Sequence, residues 1–205
     1  MPECGDIYLG QIAAVDPARQ EVIVDLGAEL RGRLPLAEIH PSYLDLPVTL
    51  RERLLAELRG DQLEPTDRAR AASPLAPYDL GEVVRLGTVI LVQVVRAGDG
   101  TEDPSLTAYL ALTGRHCVLR PNAIRDGRVA TEIGDPAHRR RLAGLLNDLD
   151  LPQGMALDVM AGGNALQRME IARDLDRLMR HWRDLRDRAM ASTPPTAIRL
   201  AGRLP

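Results

Sequence analysis

The sequence predicts an α+β chain: a small closed five-stranded barrel, then a smaller α/β subdomain that ends in a long helix. Three observations carry this. Residues 5–39 read as three successive short strands, two further apolar runs after a long insertion bring the count to five, and beyond Gly114 short apolar runs alternate with two helical patterns.

The first strand alternates through Ile7 and Leu9 and, after a slip of one place, continues through Ile12 and Val15; Asp16, Pro17 and Ala18 supply turn chemistry. Residues 22–26 are a short apolar run that stops at Gly27, and the third strand, which carries Arg31 and Arg33, follows before Ile39. An insertion over 40–80 follows, assigned as mobile: residues 50–59 are patterned as a short helix, and 61–79 are rich in Pro, Ala and charge. Residues 89–95 are Val, Ile and Leu-rich; after a turn at 98–104, residues 106–112 make the fifth strand. The barrel domain is thus placed at 5–112.

In the second subdomain, 113–191, residues 117–119, 128–133 and 156–160 are strand candidates. Asp135 is placed to cap a helix whose first residue is Pro136, with Leu142, Leu145, Leu146 and Leu149 on one face. The last helix, about 165–190, carries Ile171, Leu175, Leu178, Trp182, Leu185 and Ala189 at spacings of four and three. Residues 192–205, with Pro194, Pro195 and Pro205, read as a linker tail.

Composition narrows the function. With 205 residues, 45% of them hydrophobic, the chain can bury a core of one or two domains. No run of about 18 apolar residues is present and the first ten residues do not resemble a signal peptide, so a cytoplasmic location without membrane contact is expected. Cys4 and Cys117 form no CxxC pair, and the four histidines have no metal-ligand spacing, so no metal, cofactor or disulfide is expected. No catalytic grouping of Ser, His and Asp is visible. The net charge of -3 hides a division: residues 1–110 hold 10 Arg against 18 acids, a balance of -8, and residues 111–205 hold 16 Arg against 11, a balance of +5. A polyanion meets its favourable field in the second half.

The segments GDIYLGQI, VIVDLG, GRLPLAEI, ILVQV, LALTGRHCVLRPN and LPQGM, with the helix around Asp174 and Trp182, occur in an order that resembles the amino-terminal RNA-binding part of the ribonuclease E/G family. The resemblance implies an OB-type RNA-binding barrel followed by a subdomain that senses the 5′ phosphate of RNA. It also implies that the family's metal-binding aspartates lie in a later nuclease subdomain, so a non-catalytic chain is expected. Small barrels of this kind commonly hold single-stranded nucleic acid on one face.

The same resemblance maps the family's aromatic base-stacking positions onto Ile23 and Arg33, and its phosphate pocket onto Gly114, Val118, Met160 and Ala161. Neither Met160 nor Ala161 can donate to a phosphate, so Gly114 and Val118 are a remnant of that pocket. The expected RNA-binding residues are Tyr8 and Tyr109 on barrel strands, Arg31 and Arg33 spaced by two on one strand face, and the cluster Arg139, Arg140 and Arg141. Each has a structural alternative: core packing for the tyrosines, solvated pairing with Asp25 or Glu29 for the strand arginines. Arg173, Arg177, Arg180 and Arg183 of the last helix look basic, but Asp176 with Arg180, Arg180 with Asp184 and Arg183 with Asp187 sit four apart, so the helix reads as a salt-bridged face. The expected partner is single-stranded RNA. The alternatives are a protein partner met through the barrel or its insertion, and an RNA-binding part serving a separate catalytic part.

Overall fold

The structure is a computed structural model that describes residues 2–59, 80–160 and 168–199. Contacts divide the chain into two units, one running to Tyr109 and resumed from Arg188, the other Leu110–Asp187.

In the first unit, β1 (Ile7–Asp16), β2 (Glu21–Gly27), β3 (Leu30–Pro35), β4 (Val89–Arg96) and β5 (Ser105–Thr107) lie in the order β2-β3-β5-β4-β1. β1 also pairs with β2, which closes the barrel in the OB-type order. One strand serves two partners because it bends. Residues 7–11 of β1 pair with β4, residues 11–16 with β2, and the register shifts between Ile12 and Ala14 where the alternation in the sequence slips.

Alternation fills the interior. Val22, Val24 and Leu26 of β2, Leu34 of β3, Ile90, Val92 and Val94 of β4 and Leu106 of β5 are each no more than 2% exposed. Each such side chain contributes roughly 1.5–3 kcal/mol by leaving water.

Part of the insertion is not mobile. Leu44, Leu46 and Leu54 join the barrel core, Leu54 from helix α1 (Val48–Arg59). Arg51 ties the helix down by donating to the carbonyls of Leu44 and Leu46 at 3.2 and 3.1 Å. The Pro- and charge-rich stretch 61–79 lies outside the described residues. A single turn, α2 (Leu80–Val83), leads into β4.

The tail also departs from expectation. β9 (Thr196–Arg199) pairs antiparallel with β1, setting Ile7 opposite Arg199 and Tyr8 opposite Ala197. Pro194 and Pro195 stop short of the strand, so every residue within it keeps its N–H.

The second unit has a three-stranded antiparallel sheet in the order β6 (Leu112–Thr113), β7 (Cys117–Arg120) and β8 (Ala156–Val159). Residues 106–112 are therefore not one strand. β5 stops at Thr107, whose hydroxyl accepts from the N–H of Tyr109 at 3.0 Å, and Leu112 opens the second sheet. Residues 128–133 are not a strand either: Val129 makes one bridge to Val159, and the N–H of Ile133 turns back to the carbonyl of Ala130. Helix α3 (Pro136–Asn147) starts at Asp135, whose carboxylate accepts from the N–H of Ala137 at 2.9 Å. Helix α4 (Arg168–Ala191) buries Ile171, Asp174, Leu178 and Leu185.

The β2–β3 hairpin turns on Ala28 and Glu29, at φ of 51° and 63°. Positive φ at both positions suits a two-residue hairpin, but a side chain there costs about 1 kcal/mol per residue relative to Asn or Gly. Replacing Ala28→Asn together with Glu29→Gly is expected to stabilise the protein by about 1 kcal/mol, read as a higher urea midpoint at unchanged slope.

Candidate functional site

Outward positions of β2 and β3 make one face of the barrel. Ile23 stands opposite Arg33, Asp25 opposite Arg31. Arg31 is exposed and Arg33 half-buried. The Arg33 Nη2 lies 3.3 Å from Oε2 of Glu102, and the same oxygen accepts from Nη2 of Arg96 at 3.2 Å.

Glu102 is delivered by the 98–104 loop, which Asp99 ties together. Its Oδ1 accepts from the Thr101 hydroxyl at 2.6 Å and from the N–H groups of Thr101 and Glu102 at 2.9 Å. Those bonds, the hydroxyl's first, lower the Asp99 carboxyl to about 2. The loop folds so tightly that a Cβ on Gly98 would sit 2.4 Å from the carbonyl oxygen of Glu102.

The two barrel tyrosines offer no open platform. Tyr8 is 4% exposed in the core, with its pKa raised by burial and then by the charge and hydrogen bond of Asp6. Tyr109 packs edge-on against His40 with ring centres 5.5 Å apart, and its hydroxyl donates to the Ile39 carbonyl at 3.5 Å. Burial and then the charge of Glu38 raise its pKa.

In the second unit the decisive side chain is Asp174. Its carboxylate accepts from three successive backbone N–H groups, of Arg115, His116 and Cys117, at 3.2, 2.7 and 3.0 Å, and pairs with Arg177 one turn along α4. Burial alone would raise its pKa, yet these bonds outweigh it and hold the carboxyl below its usual range. Gly114 exists for this contact: a Cβ there would stand 2.6 and 2.7 Å from the two carboxylate oxygens. Cys117, buried beside this carboxylate, has its thiol pushed up to about 12, by burial first and by the charge of Asp174 second.

Val118 is half-buried and pairs with Thr113 and Asp158. Met160 is held through its N–H to the His116 carbonyl at 2.8 Å, and Ala161 lies outside the described residues. Arg120 is bonded to Asp158 at 2.7 Å.

The arginine cluster is divided in its roles. Arg139 donates to the carbonyls of Ile133 and Gly134 at 2.5 and 3.2 Å, which ties the turn before α3 to its first residues. Arg140 and Arg141 are exposed, and Arg141 lines a shallow cavity of about 400 Å³ with Asp135, Ala137 and His138. On α4, Arg177 pairs with Asp174 three residues before it.

Residues 111–203 match the sequence profile described as the ribonuclease E/G family. Ribonuclease E of Haemophilus influenzae is 29% identical over 194 residues, 94% of this chain and 18% of that protein. Ribonuclease G of Escherichia coli strain K12 is 28% identical over 200 residues, 98% of this chain and 36% of that protein. The chain is similar to ribonucleases E and G over 94% or more of its length. It spans 18% or less of the first two ribonuclease E relatives it matches. A chloroplastic ribonuclease E/G-like protein of Arabidopsis thaliana is 38% identical over 124 residues, 60% of this chain and 12% of that protein.

Gly114, expected as part of a phosphate-pocket remnant, is approached by the carboxylate of Asp174. Among the described residues no three His, Cys, Asp or Glu side chains gather as a metal site, and no helix is long and apolar enough to cross a membrane. Sequence reasoning did not pick out three residues as site residues: Arg96, Glu102 and Asp174. Only the last left a signal, a carboxylate set among the apolar positions Ile171 and Leu178 of its helix.

Replacing Asp174→Ala strands three N–H groups and is expected to cost about 3 kcal/mol or more, Asp174→Asn about 1–2, in urea unfolding. Because the folded carboxyl is held low, its stabilisation is complete above about pH 4 and is lost as pH falls through the folded value. The gap between wild type and Asp174→Asn should therefore narrow below about pH 4. Thiol labelling gives a second check: exposed Cys4 should react with iodoacetamide at neutral pH while buried Cys117 stays unlabelled until the protein unfolds, as read by mass spectrometry.

Proposed function

We propose that this chain is a cytoplasmic RNA-binding module of the ribonuclease E/G type, one that holds single-stranded RNA and does not itself cut it. The observation that carries the reading is the OB-type strand order of the barrel, closed by β1 with β2, in a chain collinear with ribonuclease E over 94% of its length. Barrels of this order bind single strands on the β2–β3 face, where Arg31 and Arg33 stand.

The charge distribution supports a first contact through the second unit. Arg33 is already paired with a carboxylate and Arg31 faces Asp25, whereas Arg140 and Arg141 are exposed in the half that carries the balance of +5. First contact with the RNA backbone is therefore made by the second unit. Met160, bonded only through its backbone N–H, brings no donor to a 5′ phosphate.

A labelled single-stranded RNA titrated across a salt series tests this. Arg140→Gln with Arg141→Gln should weaken binding more than Arg31→Gln with Arg33→Gln, and should flatten the slope of log affinity against log salt by about 1.4 for two phosphates. Arg139 is left in place because it holds the start of α3. An affinity that ignores salt, or magnesium-dependent cleavage that survives repurification, would overturn the reading.

A further inference from the structure

We propose that Arg33 and Arg96 form a phosphate-binding pair on the barrel that Glu102 occupies in the free protein, so that RNA enters this face by displacing one carboxylate. The proposal rests on the RNA-binding reading above. Its basis is geometric: two Nη2 donors, one from β3 and one from the end of β4, converge on a single oxygen, Glu102 Oε2, at 3.3 and 3.2 Å. Two guanidinium groups aimed at one point suit a phosphate oxygen as well as a carboxylate oxygen.

Three features make Glu102 a removable stand-in and not part of the frame. Its side chain is 52% exposed, and Arg96 is 62% exposed, so the pairs are of the weak, solvent-screened kind. It comes from a loop joining β4 to β5, the position from which such barrels cover their binding face. Arg33, by contrast, is held close to the barrel, its side chain 21% exposed, and its N–H donates to the Pro104 carbonyl at 2.9 Å, which anchors the end of the loop so that the Glu102 side chain is the part that turns away. Arg33 stays and the acceptor can leave. Ile23, opposite Arg33, adds half-buried apolar surface on which a base can rest beside the phosphate.

An acidic peptide would offer carboxylates to the same two arginines. RNA is favoured because Arg33 lies beside an apolar position, Ile23, on the barrel face, and stacking beside a phosphate uses both.

The test uses the full chain and a short fluorescent oligouridylate at low salt. Glu102→Gln is expected to tighten binding about five-fold or more, while Asp103→Asn, which removes the same charge one residue along, changes it by less than two-fold. Adding Arg33→Gln to Glu102→Gln should return the affinity to that of wild type. Arg33 and Arg96 Nε resonances in the NMR spectrum of Glu102→Gln should move on adding RNA. Equal effects of Glu102→Gln and Asp103→Asn, an unchanged affinity in the double variant, or an equal gain for an oligoglutamate would overturn this proposal and leave RNA binding by the second unit standing. No binding by any form would overturn both.

Discussion

The first unit depends on β1 being able to pair with β4, β2 and β9 along ten residues. A straight strand has two edges and cannot close a five-stranded barrel while keeping both neighbours in register. The irregularity between Ile12 and Ala14 re-aims the chain, so that one half completes the pairing with β4 and the other with β2. The closure leaves the β1 segment at Ile7, Tyr8 and Leu9 to accept β9, which joins the chain after Arg188 to the unit begun at its start. A change that straightened this bend would cost pairing on both sides of it.

The second unit is governed by an electrostatic constraint of the same local kind. The turn between β6 and β7 presents three N–H groups that no strand partner takes, and the Asp174 carboxylate satisfies them. Such a set of converging amides is a general acceptor site for anions. Here the anion belongs to the protein. The glycine at 114 follows from that one placement, and the thiol at 117, raised first by its burial, is raised further by the charge of the same carboxylate.

Much of the architecture is legible in residue order alone. The slip at Ile12, the alternation of Val22, Val24 and Leu26, the Asp135–Pro136 helix start and the apolar stripe of α4 all follow from local periodicity and capping chemistry. What local reasoning misplaces has a common cause. Leu106, Leu110 and Leu112 look continuous in hydrophobicity, and only the Thr107 hydroxyl and the bond from the Leu110 N–H to Asn122 show where the chain turns away. The strand at Thr196–Arg199 is hidden behind two prolines that precede it. Leu44 and Leu46 read as loop because the core they complete is assembled from distant strands.

The candidate site shows the same limit in charge. A balance of -8 over the first 110 residues describes the far field of that stretch, but not which arginine is available to a ligand. Arg33 and Glu102 are 69 positions apart and meet only through the fold, while Arg139, one of three adjacent arginines, is spent on two backbone carbonyls and its neighbours are not. Availability is set by what each guanidinium already touches. On the barrel face Arg33 and Arg96 are held by a loop carboxylate, whereas Arg140 and Arg141 of α3 are exposed.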